Sequence, residues 1–198
     1  SNSSYLGLTD ADFSQDPNRR YGLSSIDQMN NTHSGISLTH QFDWSKTVSS
    51  TATLYRNDFK RNWFKLSGGG SIIDSANGGD ANAQGILDGT IDTSGLDYKN
   101  NARDYLSEGV QVNFDVDMGS HQFDFGARYH EDEMDRFQPV DVYDQVNGSL
   151  VFQNTVAPTG SNNSFETGEA LSFWALDTWQ GTDKLSVNLA LRYEDVQT

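Results

Sequence analysis

Period-two alternation of apolar and polar residues constrains this chain more than any other feature. Ile36, Leu38, His40, Phe42 and Trp44 alternate with Ser37, Thr39, Gln41 and Asp43. Val110, Val112, Phe114, Val116 and Met118 alternate with Gln111, Asn113, Asp115 and Asp117. Phe123, Phe125, Ala127 and Tyr129 do the same with Asp124, Gly126, Arg128 and His130, and Leu185 to Tyr193 repeats the pattern. Successive side chains of a strand point to opposite faces, so each run has one apolar and one polar face. Segments 48–64 and 169–180 also read as strands, with undecided phase. Ala52 and Leu54 compete with Tyr55 and Phe59 in the first, and Leu171 and Phe173 with Trp174 and Leu176 in the second. A short strand end at Tyr5–Leu8 brings the expected number to about seven. No segment of useful length has a helical period. The expected class is all-β, an antiparallel up-and-down meander.

The connections are alternately short and long. Ser45-Lys46-Thr47, Gly119-Ser120 and Gly181-Thr182-Asp183-Lys184 are hairpin-length turns. The other connections are long polar loops at about 9–30, 67–105 and 138–168. In a meander, alternate connections lie at one end, which puts the long loops together. Within the last loop, Asn147-Gly148 between Val146 and Leu150 reads as a type I′ turn and predicts a small β-ribbon.

Twenty-eight acids oppose thirteen bases, a formal charge of -15, so nucleic acid is not an expected partner. No cysteine is present for a disulfide or thiolate metal site. The longest apolar run is Phe173-Trp174-Ala175-Leu176, far short of the roughly 20 residues a membrane helix needs. A transmembrane β-barrel is compatible with such a composition, because its alternating strands average out as hydrophilic. No nucleophile elbow, His-Glu-x-x-His or P-loop occurs, so no catalytic residue, metal ligand or cofactor is expected. Asp80-x-Asn82-x-Gln84-Gly85 followed by Asp88 matches the opening of an EF-hand loop. Ile91 stands where a bidentate glutamate is required, which argues against calcium there.

Three long loops at one end, opposite short turns, suit a barrel of the outer-membrane type. Trp44, Met118 and Trp179 lie beside the short turns, and Trp63 and Tyr129 toward the loops, as aromatic girdles would. A soluble β-sandwich with one dry face, of the carbohydrate-binding kind, also satisfies the alternation. In the barrel, Gln111, Asn113, Asp124, Arg128, Asn188 and Arg192 face the lumen, where a charge is not exposed to lipid. Arg19, Arg20 and Arg103 fall in the long loops and are candidates to grip an anionic ligand.

Tyr5-Leu6-Gly7-Leu8-Thr9-Asp10-Ala11-Asp12-Phe13 and Pro17-Asn18-Arg19-Arg20-Tyr21 resemble the barrel of TonB-dependent outer-membrane transporters, nearest the ferric citrate receptors and their relatives. Tyr55 to Trp63, Arg128 to Phe137 and Leu191-Arg192-Tyr193-Glu194 are similar to the same barrels. The resemblance implies a 22-stranded barrel around an N-terminal plug. It implies uptake of a ferric siderophore or ferric citrate across the outer membrane, energised through the plug by the TonB–ExbB–ExbD system, with no covalent change to the cargo. Neither the plug nor its TonB-contacting box is found among residues 1–198, so the chain is expected to be an excerpt of the barrel domain. A passive porin or surface-adhesion barrel is the alternative from a different class.

Overall fold

A computed structural model describes residues 5–198. Eight strands form one sheet: β1 Gln28–Asp43, β2 Val48–Leu66, β3 Thr93–Asp117, β4 His121–Phe137, β5 Val140–Val146, β6 Ser149–Val156, β7 Asn163–Thr182 and β8 Leu185–Gln197. The main path runs β1-β2-β3-β4-β7-β8, an antiparallel meander. β5 and β6 form the expected ribbon, hung from β3 through antiparallel pairs such as Tyr98 with Asp141. Its turn is set by Asn147 (φ 49°) and Gly148 (φ 73°), the two left-handed residues a type I′ turn demands.

Three expectations are corrected. Tyr5–Leu8 is not a strand: the Tyr5 amide donates to Asp27 Oδ2 (3.2 Å) and its ring meets Trp63 edge-on. The count reaches eight because the ribbon adds two strands. Residues 67–105 are not one loop, since β3 begins at Thr93 and two helices precede it. These are α2 (Gly69–Asn77) and α3 (Ala81–Leu87); α1 (Asp10–Gln15) lies before β1. Such short helices need tertiary packing rather than a long periodic pattern. The Thr9 side chain accepts from the Asp12 amide at the start of α1, and Asp80 accepts from the amides of Asn82 and Ala83 at the start of α3. Asp80 is thus a helix cap, and the EF-hand-like stretch is helical.

The chain divides into two compact units. One comprises residues 33–59, 105–134 and 165–198 and contains all three short turns. Here the two undecided phases resolve. The Trp174 indole donates to Asp124 Oδ1 (3.0 Å), and Arg192 lies over its ring. Trp174 and Leu176 therefore share the polar face, leaving Leu171, Phe173 and Ala175 on the apolar one. In β2, Thr53 bonds Thr39, and Tyr55 takes a hydrogen bond from Arg128, so the odd-numbered residues are polar-face. Glycine makes room for both rings: a Cβ at Gly126 would stand 2.4 Å from Trp174, and one at Gly109 2.5 Å from the Tyr55 hydroxyl.

The opposite face carries Ile36, Leu38, Phe42, Leu54, Phe125, Phe173, Leu189 and Leu191, all exposed, Leu191 by 79 %. Phe114 stacks on Phe125 across the strands. Trp44 to Ile36, Met118 to Val110, Trp179 to Leu171 and Leu185 to Tyr193 each span about nine residues, or roughly 27 Å of strand. At the usual tilt near 40° this covers about 20 Å, close to the roughly 25 Å apolar band of a membrane barrel. Beyond it on the same face, Arg56 bonds Glu108 (2.8 Å) and Asp58 (3.1 Å).

The second unit, residues 1–32, 60–104 and 135–164, contains the long connections. Its core is Tyr21, Leu23, Leu66, Ile73, Leu87, Leu96 and Tyr98, with Phe64 and Tyr143 packed against it. Buried Tyr98 donates to the Leu23 carbonyl (2.5 Å), and burial raises its pKa. Buried Asp27 accepts from the amides of Tyr5 and Leu66 and ties the N-terminal segment to β2.

Candidate functional site

Alternation continues through β2 and β3 in this second unit, and it sorts their residues sharply. Phe64, Leu66, Leu96 and Tyr98 face the core. Arg61, Trp63, Lys65, Lys99 and Arg103 occupy the reverse phase. Arg136, near the end of β4, joins them through its field on Lys99. Five of the thirteen basic residues of a strongly acidic chain thus meet on one wall.

The electrostatics reflect that crowding. The Lys99 ammonium is pushed below its usual pKa first by burial, then by the positive charges of Arg103, Arg136 and Lys65. It donates to Asn162 Oδ1 (2.7 Å), a neutral acceptor. Burial also lowers Lys65; Asp27 opposes that shift and Arg61 adds to it. The Lys65 ammonium lies 3.1 Å from the centre of the Tyr5 ring and 4.2 Å from that of Trp63. Arg136 donates to the Ser161 carbonyl (2.9 Å). Arg61 Nε and Trp63 Nε1 are buried donors without a hydrogen-bond acceptor among the described residues. Such a wall concentrates positive potential and donors, which is the chemistry of anion capture.

Of the three loop arginines singled out from sequence, only Arg103 belongs to this wall. Arg20 donates to the Ser24 carbonyl (2.6 Å). Arg19 is held between two carboxylates, Asp12 (2.6 Å) and Asp88. Asp12 is also bonded by the Tyr21 hydroxyl (2.5 Å), the Thr9 hydroxyl (3.0 Å) and Gln84 (3.1 Å). Arg19 thereby locks α1 to α3. Sequence reading missed Arg61, Lys65, Lys99 and Arg136. The signal was there in the even spacings Arg61-x-Trp63-x-Lys65 and Lys99-x-x-x-Arg103, legible once the phase of β2 and the extent of β3 are known.

In the other unit, Arg128, Asp124 and Arg192 lie on the polar face described above. Gln111 donates to Asn113 (2.8 Å) along that face, and Asn188 pairs with Thr178 in the β7–β8 register. The Tyr55 hydroxyl links Arg128 (3.0 Å) to His130 (2.5 Å), and His130 reaches Asp132 (2.7 Å). Among the described residues no group of three or more His, Asp or Glu side chains is placed to hold a metal ion.

An antiparallel meander with one lipid-compatible band and one polar, charged face defines a wall segment of a membrane β-barrel. The family model described as TonB dependent receptor-like, beta-barrel matches residues 1–198, and the chain belongs to that family. No curated protein matches it. Among solved structures, the chain is similar to the ferric citrate transporter FecA in its unliganded form. Identity there is 15 % and the TM-score 0.55, over 96 % of this chain and 24 % of that one. The ferric preacinetobactin receptor BauA from Acinetobacter baumannii is also similar, at 15 % identity and TM-score 0.46, over 98 % of this chain and 28 % of that one. The chain spans about a quarter of the length of these proteins.

Proposed function

We propose that this chain is part of the barrel of an outer-membrane transporter that captures an anionic ferric complex, a ferric siderophore or ferric citrate. Energy comes from the TonB–ExbB–ExbD system, acting through a plug. The cargo is bound and passed on without covalent change. The apolar band faces outer-membrane lipid, and Gln111, Asn113, Asp124, Arg128, Asn188 and Arg192 face the lumen.

The observation that carries this reading is the wall of Arg61, Lys65, Lys99, Arg103 and Arg136. It gathers five of the chain's thirteen basic residues on one wall, although acids outnumber bases by fifteen in the whole chain. Their half-buried heads bind an anion more strongly than exposed ones, because the local dielectric is lower. Family membership and the FecA-like fold support a transporter; the ferric cargo is proposed from the likeness to the ferric citrate transporter FecA.

The test is titration of the detergent-solubilised protein with ferric citrate. Lys99→Gln and Arg103→Gln should each weaken binding about tenfold, as expected for loss of a charge-assisted hydrogen bond of roughly 1.5 kcal/mol. Raising the salt concentration should weaken the wild type as well. Unchanged affinity in both variants would remove the wall from the binding reaction.

A further inference from the structure

We infer that the apolar face carries a site for a phospholipid whose headgroup bears a primary ammonium, of the ethanolamine kind, in the leaflet at the short-turn end. The inference rests on the proposed reading that this band faces lipid, and it goes beyond the transport of a ferric complex.

A single acid interrupts the band. Among the described residues of its six apolar runs, Asp177 is the one carboxylate on the lipid-facing phase. It follows Phe173 and Ala175 along β7 and pairs with Leu189 of β8. Trp179, two residues nearer the short turn, marks the interface. Asp177 lies about 7 Å of strand inside it, or roughly 5 Å in depth at the usual tilt. An ionisable group at such a place calls for a partner. His121 meets part of that need: its Nδ1 is 2.8 Å from Asp177 Oδ2 and 3.1 Å from Oδ1. The carboxylate only accepts, so Nδ1 carries the proton, and in the neutral ring Nε2 is a further acceptor. The ring stacks on Phe123 (5.6 Å) and Trp179 (6.2 Å), which fixes its plane. The pair then presents one negative charge, spare acceptor lone pairs and an indole, and the Asp177 side chain is reachable at 21 % exposure. An ammonium with N–H donors is the complement of all three.

A groove runs from that carboxylate along the apolar face. Its volume is about 360 Å³, and its lining includes Phe123, Phe125, Ala175, Asp177, Leu189 and Leu191. Small Ala175 makes the trough between the rings of β4 and the leucines of β8. An acyl chain fits this trough while the amine of its own headgroup reaches Asp177. A phosphatidylglycerol offers the same chains without a cation, so it can fill the groove but not pair with the acid.

The experiment mixes the full chain in detergent with equal amounts of dioleoyl phosphatidylethanolamine and dioleoyl phosphatidylglycerol, and counts bound lipid by native mass spectrometry. The ethanolamine lipid should bind about tenfold more tightly, as one charge-assisted hydrogen bond supplies. Asp177→Asn should erase that preference and leave the glycerol lipid unchanged. Asp177→Glu, which keeps the charge, should retain it and controls for folding. Ala175→Leu fills the groove and should weaken both lipids alike. Equal binding of the two lipids by the wild type, or a preference that survives Asp177→Asn, overturns the inference and leaves ferric citrate binding, titrated on the same preparation, untouched. A lipid-free dimer that Ala175→Leu dissociates would assign the groove to a second copy and also overturn it. A chain that stays monodisperse without detergent and takes up neither lipid overturns the lipid-facing reading as well.

Discussion

Arg19 offers the sharpest test of how the loop architecture is held. Replacing it with Gln keeps most of the stem and removes the charge that bridges Asp12 and Asp88. Breaking a fully buried ion pair costs about 3–5 kcal/mol. A fully exposed pair is worth no more than about 1 kcal/mol. This one lies between: the Arg19 side chain is 34 % exposed, while that of Asp12 is 9 %. The orphaned Asp12 carboxylate would keep the Tyr21, Thr9 and Gln84 donors. The expected cost is therefore about 1.5–2.5 kcal/mol, after discounting for solvent at Arg19. Native-state hydrogen exchange in detergent should show it as roughly 10- to 70-fold faster opening of amides in α1 and α3. A double-mutant cycle with Asp88→Asn should show coupling between the two positions.

Acidity supplies an independent check. The Asp12 carboxyl is held below its ordinary value of 3.8, chiefly by the Tyr21 hydroxyl and further by Gln84, Thr9 and Arg19, against the effect of burial. A lowered folded-state pKa means that the stabilisation is fully present above about pH 4 and is lost as pH falls through the folded value. Unchanged exchange in Arg19→Gln, together with lost affinity for ferric complexes, would refute the lock and return Arg19 to the ligand.

The remaining predictions concern packing and a second buried carboxyl. Gly126→Val should cost about 1–3 kcal/mol and lower the melting temperature, because a Cβ there meets both Trp174 and the Val112 carbonyl at 2.4 Å. Gly70→Ala is the matched control: it lies in α2 with open space around its Cβ, and should be neutral or stabilising by up to about 1 kcal/mol. At Asp27, burial raises the carboxyl's pKa despite the amides of Tyr5 and Leu66. The folded state therefore favours the protonated acid, and its contribution strengthens as pH falls through the raised value, the opposite sign to Asp12. Asp27→Asn should abolish that gain on acidification, read from exchange of the Leu66 amide between pH 6 and 4.

Strand identity and pairing order were written locally. Runs such as Val110 to Met118 can bury or expose only one face, and turns as short as Gly119-Ser120 leave no option but an antiparallel neighbour. Asn147-Gly148 declared its ribbon for the same reason: its backbone angles are a property of the two residues themselves. The phase of β2 and β7 was not local. Their two faces are almost equally apolar, and the choice was made by neighbours, with Gly126 leaving room for Trp174 and Gly109 for Tyr55. Tyr5–Leu8 matched a strand in pattern alone, and Asp27 and Trp63 claim Tyr5 instead. The helices α2 and α3 are too short to announce themselves by period and exist because Ile73 and Leu87 find a shared core. The basic wall lay furthest from view. Arg61, Lys65, Lys99, Arg103 and Arg136 come from three strands up to 75 positions apart, counting from Arg61 to Arg136. Only register brings them together, and register is a cross-strand quantity that one strand's sequence does not contain.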